Sequence, residues 1–385
     1  MPSRRDQLIN AVARRGSSLV PLDLGSSPNT SITKIAYEHL TEHLGIELQT
    51  PPHVFHKPFQ LVDVDEQVLQ RLRIDTRSIR GNSPDSSTPQ ESSDGRYADE
   101  WGITYRPAVS KGQLLYFETA TSPLQQGTIE ELEAHKWPNP SDPGRVRGLD
   151  TQAAALDSQD RFLVVGHQGD TSLFENARDL RGMARFMIDL VKNKEYAHAL
   201  LDKVTEIQCK KMEHFLHAVG EALDVVCIGD DLSAQDRPLI SPPLYREMVK
   251  PYHERYFKTI KQNTHAMLHM HSCGTVQYFL DDLIDIGLDI INPVQVTARG
   301  MDPADLKQRF GSRLSFWGGI DTQRLLPHAA ANEVRENVRG MMKTLGDGGG
   351  YVLSAVHNIQ PDVPAANVVA MFDEASAANS ELTRR

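Results

Sequence analysis

From about residue 160 onward the chain repeats one rhythm, a short apolar run followed by a long amphipathic stretch. The runs are "RFLVVGHQG", "DVVCIGDD", "HAMLHMHSCG", "LDIINPVQV", "RLSFWGGI" and "GYVLSAVHN". Such continuous apolar runs are what strands buried on both faces require, and apolar residues at helical spacing fill the segments between them. Alternation of this kind commits a chain to a parallel sheet with crossover helices. These six runs, with "LVPLDL" near the N-terminus and one further strand upstream, predict an α/β fold of the (β/α)8 TIM-barrel type. An open doubly wound sheet is the alternative, but no G-x-G-x-x-G follows any of the runs.

The N-terminal part is read as additions to that barrel, so residues 1–385 are expected to form a single domain. Residues 1–20 open with a charged helix, and 50–125 form an insertion. "ITKIAYEHLTEHLGI" has helical periodicity and a stop at Gly45, and "VDEQVLQRLRIDTRSI" reads as a helix leading into a strand. "DEWGITYRPAV" and "GQLLYFETATSPL" are expected to pair as a hairpin. Between them and the preceding strand, residues 81–96, "GNSPDSSTPQESSDGR", hold no apolar residue and predict a mobile surface loop.

Charge narrows the partners. The formal net charge is -10 and no run of Lys or Arg is present, which argues against nucleic acid. No window reaches 18 apolar residues, so no membrane span is expected. Three widely spaced cysteines, Cys209, Cys227 and Cys273, fit a reducing cytoplasm better than a disulfide framework.

Several of the strands end in polar residues. Asp23, His167 with Gln168, Asp230 with Asp231, His271 with Cys273, Asn292 with Gln295, Asp321, and His357 with Asn358 all fall at such ends. In a parallel barrel these ends share one mouth, where barrel enzymes place their chemistry. Asp23, His167, Gln168, Asn292, Gln295 and Asp321 are therefore candidate substrate contacts. Asp230 and Asp231 are candidate general acids, although paired carboxylates also begin many helices. Trp101 and Tyr105 can form a lid over the mouth or pack the hairpin on the barrel. His39, His43, His53 and His56 are given no role.

Strand geometry puts His269, His271 and Cys273 on one face, with His271 and Cys273 at the strand end. An imidazole and a thiolate two residues apart suit zinc, but a site needs a third ligand. His357 is the best candidate, with Asp230 and Asp231 as further options. The alternative is a buried cysteine beside a hydrogen-bonded core histidine. His269 is placed in the core or behind the ligands, and Cys209 and Cys227 are read as packing residues.

"GDTSLFENARDLRGMARFMIDLVKNKEYAHALLDKVTE", "DDLSAQDRPLISPPLYREMVKPYHERYFKTIK", "HMHSCG", "INPVQ", "WGGIDTQ" and "HNIQPDVPAANV" together resemble the uroporphyrinogen decarboxylase superfamily over about residues 160–375. "VPLDLGS" and "DEWGITYR" extend the resemblance weakly toward the N-terminus. It implies the same (β/α)8 barrel. The metal-free decarboxylases of the superfamily carry an arginine-rich segment of the kind "MRQAGR" and an aspartate motif of the kind "FSDIL". Here "LGSSPNTS" follows the first strand, without arginine, so an eight-carboxylate tetrapyrrole would find few cationic partners.

The cobalamin-dependent methyltransferase branch binds zinc through an H-x-C pair and a later cysteine. His271 and Cys273 match the pair, and His357 stands in place of the cysteine. The resemblance thus implies a His271, Cys273, His357 zinc site, with His357 as a ligand or a catalytic contact. Neutral imidazole in place of a thiolate would make the metal more electrophilic and favour an oxygen or nitrogen leaving group. The implied function is transfer of a methyl group between a small methyl donor, a corrinoid (cobalamin) and a thiol or pterin acceptor. No D-x-H-x-x-G motif appears, so the corrinoid would come on a separate protein. A metal-free lyase acting on a small carboxylic acid or tetrapyrrole is the alternative, and a non-catalytic binding barrel is a third reading. Superfamily decarboxylases are often dimers, so the resemblance allows a homodimer and leaves the oligomeric state open.

Overall fold

The structure, a computed structural model, describes residues 2–17, 19–86, 91–110, 112–169 and 171–382. Seven strands form one parallel sheet: β1 (Thr76–Arg80), β2 (Leu163–His167), β3 (Val225–Gly229), β4 (Met267–His271), β5 (Ile290–Asn292), β6 (Ser315–Ile320) and β7 (Tyr351–Ala355). They are hydrogen-bonded in chain order. Each expected run is a strand, and nearly all their residues are buried because helices cover the outside while side chains fill the inside.

The eighth position differs from expectation. "LVPLDL" makes a single parallel bridge, Leu22 to Leu353, and not a full strand. Pro21 has no N–H for a ladder, and the Leu22 N–H is taken by the Asp75 carboxylate. The segment nevertheless closes the ring. Asp23 N–H and Leu353 N–H bond across to Leu353 and Pro21 carbonyls, while Asp75 N–H donates to the Leu22 carbonyl on the other side. The fold is the predicted (β/α)8 barrel, joined by one bridged segment.

The N-terminal helix, Arg4–Val12, is more than an appendage. Ser3 and Asp6 form a capping box at its start. Its Leu8 and Val12 pack in one buried cluster with Leu163, Val165, Val225, Cys227, Ile290, Trp317 and Val352, the lower interior of the barrel. Arg5 donates to Asp224, Asp157 and the Ala222 carbonyl, and Arg4 to Asp75, which fastens the helix to the strand starts. The barrel is plugged at its N-terminal end.

Other local readings hold. The helix after the closing segment runs Lys34–Leu44 and stops at Gly45 in the left-handed region (φ 65°). Thr104–Ser110 and Gln113–Thr121 pair as the expected antiparallel hairpin, with Tyr97–Ala98 at its edge. The Ser/Pro-rich segment is less free than its composition implied. Asp85 and Ser86 donate backbone N–H groups to the Asp142 carboxylate, while residues 87–90 lie outside the described set. Among the described residues no helix is long and apolar enough to cross a membrane.

If the plug is integral to the barrel, Leu8→Ala should cost about 2–5 kcal/mol of unfolding free energy in urea titration, as for other fully buried leucines. A loss below about 1 kcal/mol would mean that the helix docks without sharing the core.

Candidate functional site

The C-terminal ends of the strands open into a cavity of about 740 Å³, walled by the barrel on one side and by the insertion on the other. At its edge stands the one group of three potential metal ligands found among the described residues. His271, Cys273 and His357 present ligand atoms within 4.8 Å of one another.

The geometry of this group follows from the strand ends. Beyond β4 the chain turns through Ser272, Cys273 and Gly274, and each backbone N–H is claimed by a neighbour. Ser272 donates to the Asn292 carbonyl (2.7 Å), Cys273 to Asp231 Oδ1 (2.7 Å) and Gly274 to Gln295 Oε1 (2.6 Å). Gly274 has φ 82°, and a Cβ there would lie 2.3 Å from the Ala234 carbonyl oxygen, so the turn demands glycine. Cys273 Sγ is thereby set 3.1 Å from His271 Nε2.

Asn292 settles which nitrogen of His271 is bare. Its Nδ2 donates to the Trp317 carbonyl (3.1 Å), so its Oδ1 faces His271 Nδ1 at 2.5 Å and must accept. Nδ1 carries the proton, and the Nε2 lone pair points to the sulfur. This is the arrangement in which a metal-binding histidine is oriented by the bond at its other nitrogen. Burial lowers His271 and His357 to about 4, so both imidazoles are neutral at physiological pH. Burial, followed by the Asp231 and Glu175 charges, raises the Cys273 thiol above its ordinary range. Neutral imidazoles, a cysteine whose thiolate would need a countercharge and adjacent carboxyls form a donor set suited to a borderline-soft cation.

A second cluster adjoins the first. Glu175, at the start of the helix Phe174–Arg181, accepts the Asp231 N–H (3.1 Å) and the Arg178 guanidinium (3.0 Å). Burial and the neighbouring Asp231 charge push Glu175 up to about 8. Burial also raises Asp231. Near neutral pH the pair therefore retains a proton beside the three potential ligands.

Of the predicted contacts, His167, Asp231, His271 and His357 line the cavity. The others have different work. Asp230 is buried, accepts from the Leu173, Phe174 and Glu175 N–H groups and from His253, caps the helix after β2 and does not line the cavity. Asp23 lies inside the barrel, bonded to Thr76 Oγ1 and Trp317 Nε1, and does not line the cavity. Gln168 turns outward to Gln208. Asn292 and Gln295 hold His271 and the Gly274 turn, and Asp321 accepts the Gln323, Arg324 and Leu325 N–H groups as a cap. Trp101 and Tyr105 line the wall, with Trp101 buried.

Sequence reading missed Glu175 and Arg178, which lie in a helix whose charges look like an ordinary exposed face. It also set aside His56, Cys227 and His269, all of which line the cavity. The strand alternation did contain the signal for the last two, because β3 and β4 point every second residue inward.

The uroporphyrinogen decarboxylase (URO-D) family model matches residues 162–378. A uroporphyrinogen decarboxylase of Pseudomonas aeruginosa is 24% identical over 274 residues, covering 68% of this chain and 73% of its own length. One from Legionella pneumophila is 23% identical over 290 residues, covering 72% and 78%. Among solved structures, a methyltransferase from Methanosarcina mazei superposes with a TM-score of 0.65 at 15% identity, over 98% of this chain and 99% of that one. At that identity the likeness is one of fold.

Glu175 allows a check on the electrostatics in metal-free protein. Its folded value lies above its ordinary 4.5, so the folded state holds the extra proton between 4.5 and about 8. The stability contributed by neutral Glu175 is complete below the lower value and is lost as pH rises to the upper one. Glu175→Gln should therefore gain on the wild type from about pH 5 to about pH 8, by about 1.4 kcal/mol per pH unit at the steepest, then level off. Urea midpoints across that range measure this, and a pH-independent difference would contradict the raised carboxyl.

Proposed function

The chain belongs to the uroporphyrinogen decarboxylase family, and from that premise we propose that it is a zinc-dependent methyltransferase. It moves a methyl group between a small O-, N- or S-methyl compound, a corrinoid carried by a separate protein, and a thiol or pterin acceptor. The observation that carries this reading is the convergence of His271, Cys273 and His357 within 4.8 Å, with His271 held in its ligating tautomer by Asn292. Two imidazoles and a thiolate make a three-ligand site that keeps a position open. His271, Cys273 and His357 would hold the zinc, which would supply Lewis acidity toward an acceptor thiol or toward the heteroatom that gives up the methyl.

The protein's own groups do the rest. Asp231 fixes the Cys273 backbone, and so the sulfur, through a 2.7 Å hydrogen bond. The Glu175 carboxyl, which holds its proton near neutral pH, is the group positioned to deliver that proton to a departing oxygen or nitrogen. The nearby Asp231 charge helps keep that proton on Glu175, and the Asp231 N–H and Arg178 hold the Glu175 side chain in place. Tyr97, Trp101 and Phe117 from the insertion narrow the mouth and limit water.

The alternative is a metal-free lyase acting on a small carboxylic acid or tetrapyrrole, in keeping with the name of the curated relatives. A polycarboxylate needs cations. Those lining this cavity, Lys57 and Arg178, are already paired with Glu91 and with Glu175 and Asp179. That pairing favours the methyl-transfer reading.

Elemental analysis decides between them. The wild type should hold close to one zinc per chain, lost in His271→Ala, Cys273→Ala and His357→Ala. Asn292→Ala should keep the ligands but weaken zinc by about 10–100-fold. Zinc lost only with His271 and Cys273 would move His357 to a substrate role. A wild type that takes up no zinc would overturn the proposal.

A further inference from the structure

Below the metal ligands, three adjacent strands present one row of side chains to the barrel interior. Cys227 is paired in register with His269, and the Gly166–Val226 pairing places His167 beside Cys227 one step further on. All three line the cavity. His167 is 2% exposed and His269 1%. Neither has a hydrogen-bond partner at either ring nitrogen among the described residues. An unmade hydrogen bond on a buried polar group costs roughly 1–3 kcal/mol, so four such nitrogens facing one cavity call for an occupant that satisfies them.

The row is not a second metal centre, because its donor atoms do not converge as those of His271, Cys273 and His357 do among the described residues. It does not suit an anion either. No lysine or arginine stands in it, and a buried carboxylate or phosphate there would lack a countercharge. Burial keeps His167 uncharged, lowering it to about 3. A neutral imidazole offers one N–H and one bare nitrogen, so the pair needs groups that both donate and accept. Hydroxyls do both, whereas an ammonium group only donates.

The upper wall adds to this. The Tyr97 hydroxyl and Trp101 indole N–H are also buried without partners and line the same cavity. Their rings offer flat apolar faces above a polar floor. A volume of about 740 Å³ is far more than a one-carbon substrate fills and lies in the range that holds ring compounds. His269 and His271 are two residues apart on one strand, so floor and ligand rows are separated by about 6.6 Å, a distance one substituted ring can bridge.

We propose that the His167–Cys227–His269 row is the floor of a subsite for an uncharged ring compound with neighbouring hydroxyl and methoxyl oxygens. The hydroxyl meets the imidazoles and the methoxyl is turned toward His271 and Cys273. The methoxyl assignment rests on the methyl-transfer reading; the hydroxyl floor stands without it. A phenolic ring and a sugar ring share this chemistry, and two probes separate them.

Guaiacol and methyl β-glucopyranoside are titrated calorimetrically into zinc-loaded and zinc-stripped protein, while nitrogen NMR follows the histidine rings. At least one probe is expected to bind in both states and to shift the His167 and His269 ring signals. His167→Phe should weaken it at least about tenfold, and His167→Gln, which keeps a donor and an acceptor, should restore most of the loss, both with zinc content unchanged. Binding of guaiacol alone marks a phenolic ligand, and of the glucoside alone a sugar. Binding of neither probe, or equal binding to His167→Phe, overturns the subsite. Failure of the methyl-transfer reading would show separately, as wild-type protein that takes up no zinc, because the floor titration is also run without metal.

Discussion

The candidate chemistry hangs on the position of one sulfur atom, which three backbone N–H groups hold in place. Ser272, Cys273 and Gly274 sit just past the end of β4, where the ladder stops and their donors would otherwise need water. The neighbouring strand ends supply the acceptors: the Asn292 carbonyl, Asp231 and Gln295. A loop alone would leave Cys273 free to wander. Clamped from both sides, it faces His271 at 3.1 Å. Such preorganisation is what a metal or substrate site requires, and it explains why so many of the polar strand ends touch no cavity. Asn292, Gln295 and Asp230 are spent on holding His271, the Gly274 turn and the start of the Phe174–Arg181 helix.

This division of labour marks the limit of what the residues disclose by themselves. The barrel was legible because its cause is local: each strand carries its own apolar run and each helix its own periodicity. The His271–Cys273 pair was legible for the same reason, since a period of two fixes which side chains share a face. The role of Asp230 was not. Its partners, Leu173, Phe174, Glu175 and His253, lie tens of residues away, and only the closed ring brings them together. Asp23 is a similar case, an acid at the end of an apolar run that satisfies Trp317 and Thr76 inside the barrel. A polar residue at a strand end signals the mouth but does not say whether it faces a ligand or another strand.

The insertion was the least readable segment, and it supplies one side of the cavity wall. Lys57, Phe59, Tyr97, Trp101 and Phe117 all come from residues 50–125. Their aromatic rings look like ordinary hairpin packing, and some of them do pack: Tyr97 stacks on Tyr105 with centroids 5.2 Å apart. What sequence periodicity cannot supply is the placement of this hairpin over the mouth, which depends on contacts far apart in the chain. One is the Lys211 ammonium held against Glu100 and the Trp101 ring.

The N-terminal plug has a consequence for traffic. With Leu8 and Val12 sealed into the strand starts, the interior is a blind well, open at one end only. Whatever reaches the floor enters and leaves at the C-terminal ends of the strands, where His271 and His357 line the cavity. Two reactants that both need the depth share that one entrance, so the arrival of each is coupled to the other. A protein-borne partner that docks on the rim would also close the exit. Order of arrival is thereby built into the shape of the vessel, before any residue acts on a bond.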